Sequence, residues 1–380
     1  WYFFIPRNTL HIQKYLKWKN VNEIFPVNNV GIVTARDKFA IDFDQNILKN
    51  KIRQFRDLLL DNTLLKEAFK LKDTSTFKLD KFRKELAKDD NWQNYFKLIT
   101  YRPFDVRHIY YSKWVIERPI YNTMRHMLED NIGLLFTRPS KPNYKFSVLI
   151  TKNIIDQCVV GNKTAGAGIS YISPLYLYPD EKNKNLFNHT QTKKEPNITP
   201  LIFEKLNKLY NRKPTPEEIL YYIYGVFYSN IYRETYAEFL KIDFPRVPFT
   251  SDYDLFIEMG KLGKELTALH LLKSSELNSP VAKYQGSGDN DRIEKVTYEK
   301  DEQRIYINKE KYFEGVTPEV WNYYIGGYQV LRKYLKDRKD RMMDDAPRYC
   351  RIVTALNKTI EIQKQIDKIY PEIEKNLVIF

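Results

Sequence analysis

The stretch TPEEILYYIYGVFYSNIYRETYAEFL, residues 215–240, opens on a well-specified helix start. Thr215 fits an N-cap, and Pro216 fits the first helical position, where its missing N–H would have had no intrahelical partner. Glu218 completes a capping box by reaching back to the Thr215 backbone. Tyr221, Tyr224, Tyr228, Tyr232 and Tyr236 then recur at helical spacing, the signature of a packed face, so these rings are expected in the core rather than on a stacking platform. The stretch ends at FPRVPF, residues 244–249, where two prolines block helix and form a rigid corner. Beyond it, Ser251 is expected to cap a helix over DYDLFIEMGKLGKELTALHLLK.

Working outward, the downstream chain stays mainly helical. GSGDN at 286–290 is a turn before a β-hairpin near 291–308, with RIEKVTYEKD and QRIYINKE as its arms. Thr317-Pro318-Glu319 opens another helix. A long C-terminal helix is expected from Arg348 to Lys368, with a seam of Ile352, Leu356, Ile360, Gln363 and Ile366 that packs within the domain or against a partner helix. Between them, GGYQVLRKYLKDRKDRMM, residues 326–343, carries six cations in ten positions. On a helical wheel Tyr324, Tyr328, Leu331, Leu335 and Met342 form a packed stripe, and Arg332, Lys336 and Lys339 form a basic shoulder. Asp337 and Arg341 are spaced for a local pair.

Upstream the pattern changes. Val30 to Val33 and the alternation of Phe39, Ile41 and Phe43 suit strands. Residues 46–71 suit an amphipathic helix through Ile47, Ile52, Phe55, Leu58 or Leu59, Leu65 and Phe69, and a second such helix is expected over 79–88. Residues 95–180 read as strand-rich, with cations on the irregular segments, and 181–198 as a polar linker. The expected fold class is α+β, in two regions. Residues 1–198 form a strand-rich α/β region with amphipathic helices, and 199–380 form a mainly helical scaffold or spacer holding the hairpin.

A formal charge of +14, from 62 Lys and Arg against 48 Asp and Glu, points to an anionic partner, nucleic acid above all. The two cysteines, Cys158 and Cys350, form no C-x-x-C pair and fit a reducing compartment. No apolar run approaches the roughly 20 residues of a membrane span. A cytoplasmic protein without membrane contact is expected, and the start at Trp1 suggests a piece of a longer chain. Catalytic patterns are missing. GNKTAGAGIS at 161–170 lacks the Lys-Ser/Thr end of a phosphate loop, and reads as a flexible loop that could touch a nucleic-acid backbone through Lys163 and Thr164. The five histidines make no H-E-x-x-H, and the acidic pairs suggest no metal site. There is no [DN]-P-P-[YF] or F-x-G-x-G of a methyltransferase. No catalytic or metal-binding residue is assigned.

Taken in order, YRPFDVRHIYY (101–111), RPIYNTMRHML (118–128), NIGLLFTR (131–138), SPLYLYP (173–179), YYIYGVFYSNIYRETYAEFLKIDFPRVPF (221–249), LGKELTALHLL (262–272) and WNYYIGGYQVLRKYLKDRK (321–339) resemble the C-terminal specificity region of Type ISP restriction-modification enzymes. The resemblance runs from about Trp1 to Ile369. It implies a target-recognition domain of a bacterial phage-defence enzyme, which clasps double-stranded DNA opposite the methyltransferase domain of the same polypeptide. It implies no cofactor in this chain, with S-adenosylmethionine, ATP and Mg used by the parent enzyme, and a monomer. Base-reading residues do not carry over from the family. Residue chemistry instead suggests Arg102, Arg107, Arg118, Arg138, Lys141, Asn143, Lys145, Lys163 and Thr164 for DNA contact, since a guanidinium fork suits guanine and phosphate alike. Arg332, Lys336 and Lys339 are candidates for steadying the backbone. Arg246 either does the same or bonds carbonyls at the proline corner. The competing readings are a complete metal-dependent nuclease whose acids meet only in three dimensions, and a noncatalytic protein-interaction spacer.

Overall fold

The computed structural model of the chain describes residues 10–137, 145–161, 168–179, 194–378 and 380. Two four-stranded sheets organise the first part. One is ordered Asn29–Val30, Ser170–Pro174, Gly133–Thr137, Val148–Thr151, and all its pairs are antiparallel. The other is ordered Ile41–Asp42, Asp105–Tyr110, Phe96–Arg102, Ile154–Ile155, and its last pair is parallel. Both strands of the Gly133–Thr137 and Val148–Thr151 pair are buried along their whole length, so they read as continuous apolar runs without alternation.

The helix expected over 46–71 is two helices, Gln45–Arg56 and Asn62–Phe69. Asp57 takes extended backbone, and the Asp61 carboxylate caps the second helix by accepting from Thr63 N at 2.7 Å. Two caps in one apolar run override its periodicity. Leu59 is consequently 96% exposed, and Ile47 is exposed while Leu48 faces the core. Buried Arg83 fastens the turn between the helices, its guanidinium donating to the carbonyls of Phe55 at 2.9 Å and Leu60 at 2.9 Å. Leu79–Ala87 is helical as expected. Phe39 is not on a strand but in the short helix Asp37–Ala40.

The capping box at Thr215 forms in full: Glu218 N donates to Thr215 Oγ1 at 3.1 Å, and Thr215 N donates to Glu218 Oε2 at 2.7 Å. The tyrosine face is core. Tyr222, Tyr224, Tyr228, Tyr232 and Tyr236 are almost wholly buried, while Tyr221 is half-buried. A buried hydroxyl must find an acceptor, and these find distant ones. Tyr222 donates to Pro248 O at 2.5 Å, Tyr232 to Arg246 O at 2.8 Å, Tyr236 to Glu374 Oε1 at 2.9 Å and Tyr228 to Val148 O at 3.1 Å. The stretch is helical over Pro216–Tyr228, Asn230–Thr235 and Ala237–Leu240, and its tyrosines lock these helices to the proline corner, the C-terminal helix and the first sheet. The helix Pro216–Tyr228 crosses Tyr253–His270 at glycines. A Cβ on Gly263 would overlap the Tyr221 carbonyl oxygen, and one on Gly225 would lie 2.7 Å from Met259 O.

Asp252, not Ser251, caps the second of these helices, accepting from Asp254 N at 2.9 Å and Leu255 N at 3.1 Å. Ser251 is drawn aside because its N–H pairs with Asn376 O at 2.6 Å. The hairpin of Thr297–Glu299 and Arg304–Tyr306 is present and widened to four strands by Lys311–Glu314 and Lys283–Gly286. The last helix runs Ala346–Lys375, longer at both ends than expected, and its seam at Ile352, Leu356, Ile360, Gln363 and Ile366 is buried inside the domain. One apolar cluster extends from Tyr15 to Val378. Lys19–Asn20 also pairs with Arg246–Val247, so the beginning of the chain and the proline corner share an antiparallel ladder.

The basic stretch departs most from its helical wheel. Only Val330–Lys336 is helix, while Tyr324–Ile325 and Tyr328–Gln329 form a tight hairpin around Gly326-Gly327. Gly326 has φ +61°, and a Cβ there would lie 2.9 Å from Ser147 Oγ. The glycine thus serves both the turn and the close approach. Tyr324 and Met342, expected in a packed stripe, are 53% and 49% exposed.

Candidate nucleic-acid interface

The residues flanking two segments that carry expected DNA-contact residues lie at the same end of one sheet. Thr137 pairs in register with Ser170, and its N–H donates to Ser147 O at 3.0 Å. The stems of segments 138–144 and 162–167 therefore sit side by side. Gly327 N donates to Val160 O at 3.1 Å and Gly326 lies against Ser147, which docks the 324–329 hairpin against both stems. Arg138, Lys141, Asn143, Lys163 and Thr164 themselves lie outside the described residues. Lys145, directly after the first segment, is exposed.

Beside the stems lies a layer of guanidinium groups and rings. Arg107 and Arg102 both stack on the Tyr101 ring, 4.0 and 4.1 Å from its centroid. Phe43 receives three guanidiniums, from Arg107 at 4.0 Å, Arg341 at 4.5 Å and Arg338 at 4.7 Å. Such charges repel unless anions are interleaved. Asp105, fully buried, supplies one: its Oδ2 accepts from Arg107 at 2.6 and 2.9 Å and its Oδ1 from Arg338 at 2.7 Å. Burial by itself would raise the Asp105 carboxyl, but the two guanidiniums outweigh it and hold it below the ordinary carboxylate range. Buried Arg102 pairs with Asp156 at 3.0 Å, which keeps the guanidinium firmly charged against the cost of burial. Asp337 accepts from the Tyr328 hydroxyl at 3.2 Å and lies 3.8 Å from Arg107. It does not form the local pair with Arg341 that the spacing suggested, because Arg341 is turned onto Phe43.

A cleft of about 310 Å3 opens on this layer, lined by Tyr101, Arg102, Arg107, Gly161, Tyr328, Lys333 and Asp337. The expected contact residues fall into three groups. Arg102 and Arg107 are held inside the layer by carboxylates and form its wall. Arg118, Arg332, Lys336 and Lys339 are exposed, with Arg118 on backbone that pairs with Val33. Arg246 bonds carbonyls at the corner, donating to Trp18 O at 2.8 Å and Leu16 O at 3.4 Å. Sequence reading missed Lys333, Arg338, Arg341 and Phe43 as members of the layer. The density of cations after Gly327 was the available signal, and the helical wheel misplaced it.

Two histidines are structural. His126 Nδ1 accepts from Tyr178 N at 2.9 Å, and burial pulls its pKa down to about 4. His270 bridges the Tyr224 hydroxyl at 2.6 Å and Thr359 Oγ1 at 2.9 Å, and burial pulls it down to about 3. Among the described residues no group of three or more His, Cys, Asp or Glu side chains could hold a metal ion, and no helix is long and apolar enough to cross a membrane.

These features define a mixed α+β domain whose cationic, aromatic-backed face sits where the chain enters and leaves segments 138–144 and 162–167. The family model described as the Type ISP C-terminal specificity domain matches residues 23–365, and the chain belongs to that family. Solved structures share its fold. A nuclease-deletion mutant of the Type ISP restriction-modification enzyme LlaGI, in complex with a DNA substrate mimic, aligns with TM-score 0.64 and 19% identity over 93% of this chain and 29% of that one. The ATP-dependent Type ISP restriction-modification enzyme LlaBIII bound to DNA aligns with TM-score 0.66 and 23% identity over 95% of this chain and 24% of that one. The DrdV–DNA complex aligns with TM-score 0.66 and 20% identity over 92% and 36%. The chain thus spans only about a quarter to a third of the length of the proteins it matches. No curated protein matches the chain.

Proposed function

We propose that this chain is the sequence-reading part of a restriction-modification enzyme: it binds double-stranded DNA and positions a target site for an adenine methyltransferase and a nuclease elsewhere in the parent polypeptide. In this reading the chain contributes no catalytic group, and S-adenosylmethionine, ATP and Mg serve the parent's other domains. The observation that carries the proposal is the convergence of both stems with Lys333, Arg338 and Arg341 on one face, in a chain of the Type ISP specificity family. DNA in the complexes of the fold neighbours supports it.

The physical division of labour follows from charge placement. Exposed Arg332, Lys336 and Lys339 suit phosphate contact, which fixes orientation and supplies most of the affinity. Lys333, in the cleft wall, suits it too. The buried carboxylates keep Arg102, Arg107 and Arg338 immobile, so they form a rigid, largely neutralised backing for the exposed cations. Sequence reading then belongs to the loop residues Arg138, Lys141, Asn143, Lys163 and Thr164, together with Lys145 and Arg118, whose side chains suit base edges as well as phosphate.

Fluorescence anisotropy with a labelled duplex across a salt series tests this. The logarithm of affinity should fall linearly with the logarithm of salt concentration, with a slope of about 0.9 per phosphate neutralised. The double change Arg138→Ala, Lys141→Ala should weaken binding and reduce that slope by about 1 for each phosphate no longer neutralised. An unchanged slope would remove those two residues from the interface, and binding indifferent to salt would remove the proposal.

A further inference from the structure

On the other side of the 324–329 hairpin lies a larger cleft, of about 830 Å3, separate from the arginine layer. Its size is within the roughly 300–1,000 Å3 range of small-molecule sites. The hairpin divides the two clefts: Tyr328 lines the small one, whereas Tyr324 and Gly326 line the large one. We propose that this large cleft binds a nucleotide unit, a planar base carrying a phosphate.

Three observations point to that chemistry. The first is an uncompensated cation. Arg233 donates through Nε to Phe227 O at 2.6 Å and lies 4.6 Å over the Tyr228 ring, with no carboxylate in ion-pair range among the described residues. The other lining cations differ: Lys364 is 3.7 Å from Glu319, and Lys241 is 2.7 Å from Glu238. A half-buried guanidinium left without an anion in a concave site attracts one, and exposed Lys145 at the rim adds to the field. Glu234 also lines the cleft, on its exposed side.

The second is an open ring. Tyr324 is 53% exposed beside the cleft, and its hydroxyl is only 3.5 Å from Gln329 Oε1 at best, so its face is free to stack. The third is a rigid polar floor. The Tyr323 hydroxyl donates to Gln363 Oε1 at 3.0 Å, Gln363 Nε2 donates to Tyr228 O at 3.1 Å and lies 3.2 Å from Asn230 Oδ1, and Asn230 Nδ2 donates to Asp367 Oδ2 at 2.8 Å. Gln363 spends both Nε2 protons inside the protein, and the network holds exposed Asn230 in place before any ligand arrives, with its second Nδ2 proton left for a base edge. A cation for phosphate, a ring for stacking and an amide for an edge are the three needs of one nucleotide.

Such a unit has two sources, a free nucleotide or an unpaired nucleotide of a bound strand. Isothermal titration of the chain with deoxyadenosine 5′-monophosphate, deoxyadenosine and 2-deoxyribose 5-phosphate tests the shared chemistry. The monophosphate should bind saturably, and each half should bind about tenfold more weakly or less, because stacking and the phosphate contact act together. Tyr324→Ala and Arg233→Gln should each weaken it about tenfold, and Lys145→Gln less; circular dichroism would check that each variant is folded. A duplex with one unpaired adenosine, compared with its fully paired form, separates the sources. Tyr324-dependent preference for the unpaired form, with competition by the monophosphate, assigns the cleft to a strand; monophosphate binding without that preference assigns it to a free nucleotide. Absence of monophosphate binding, or binding indifferent to both Tyr324→Ala and Arg233→Gln, overturns the inference. Salt-dependent binding of the paired duplex would persist in that event, so this failure is distinct from failure of the DNA-reading proposal.

Discussion

Replacing Asp105 with alanine is expected to destabilise the domain by about 3–5 kcal/mol, the cost of removing one partner from a buried ion pair. Asp105 is fully buried and accepts from two arginines, Arg107 and Arg338, whose side chains are 12% and 15% exposed. Without the carboxylate both guanidiniums remain enclosed and stacked on Phe43. The loss is read as a lower urea midpoint at unchanged slope. The pH dependence has a definite sign. The Asp105 carboxyl is held below its ordinary value of about 3.9, so the triad's contribution is complete above that pH and is lost as pH falls through the depressed folded value. The alanine variant lacks this contribution at neutral pH and should show a shallower acid limb. A variant as stable as the parent at pH 7 would mean that the arginine layer is held by something else.

Two glycines on one helix should respond with opposite signs. Gly263→Leu places a side chain against the carbonyl of Tyr221, where no flexible atom can yield, and the two crossing helices must separate. Overpacking of this kind costs about 1–3 kcal/mol where side chains absorb it, and a backbone clash belongs at or beyond the upper end. Gly260 lies three residues earlier on the same helix, and its nearest foreign atom, Glu218 O, is 3.9 Å from an added Cβ. Gly260→Ala should therefore stabilise by about 0.4–1 kcal/mol through reduced backbone freedom in the unfolded chain. Thermal unfolding of the pair against the parent chain checks both. Equal destabilisation by the two changes would contradict a helix crossing centred on Gly263.

What the sequence made legible was local or periodic. The capping box at Thr215 and Glu218, the buried tyrosine face, the hairpin near 297–306 and the seam of the last helix all depend on residues within a few turns of one another. Misreadings arose where a second local signal competed. Asp57 and Asp61 cut an otherwise periodic run, and Asp252 took the cap from Ser251, whose N–H is engaged by the C-terminus. The candidate interface was hidden for a different reason. Arg338 and Asp105 are 233 positions apart yet meet at 2.7 Å, and the Gly326-Gly327 turn that brings them together is packed against Ser147 and Val160. The basic stretch and the strand-borne arginines looked like separate features two hundred residues apart. In the fold they form one layer, with Phe43 between them.

That layer also explains how so much positive charge is tolerated on one face. Asp105, Asp156 and Asp337 neutralise the arginines that point inward, while Arg332, Lys336 and Lys339 point to solvent. The inner arginines gain rigidity from rings and carboxylates, and the outer cations remain available to phosphate.

The most direct test of the central proposal is selection from a random duplex pool. The chain, and the longer polypeptide that carries it, would be equilibrated with the pool at two salt concentrations, and the retained DNA sequenced. Binding to the bulk of the pool should weaken at the higher salt while one asymmetric motif becomes enriched, since phosphate contacts are sequence-independent and base contacts are not. Retention with no motif enriched at either salt, from both the chain and the longer polypeptide, would contradict the assignment of sequence reading to this domain.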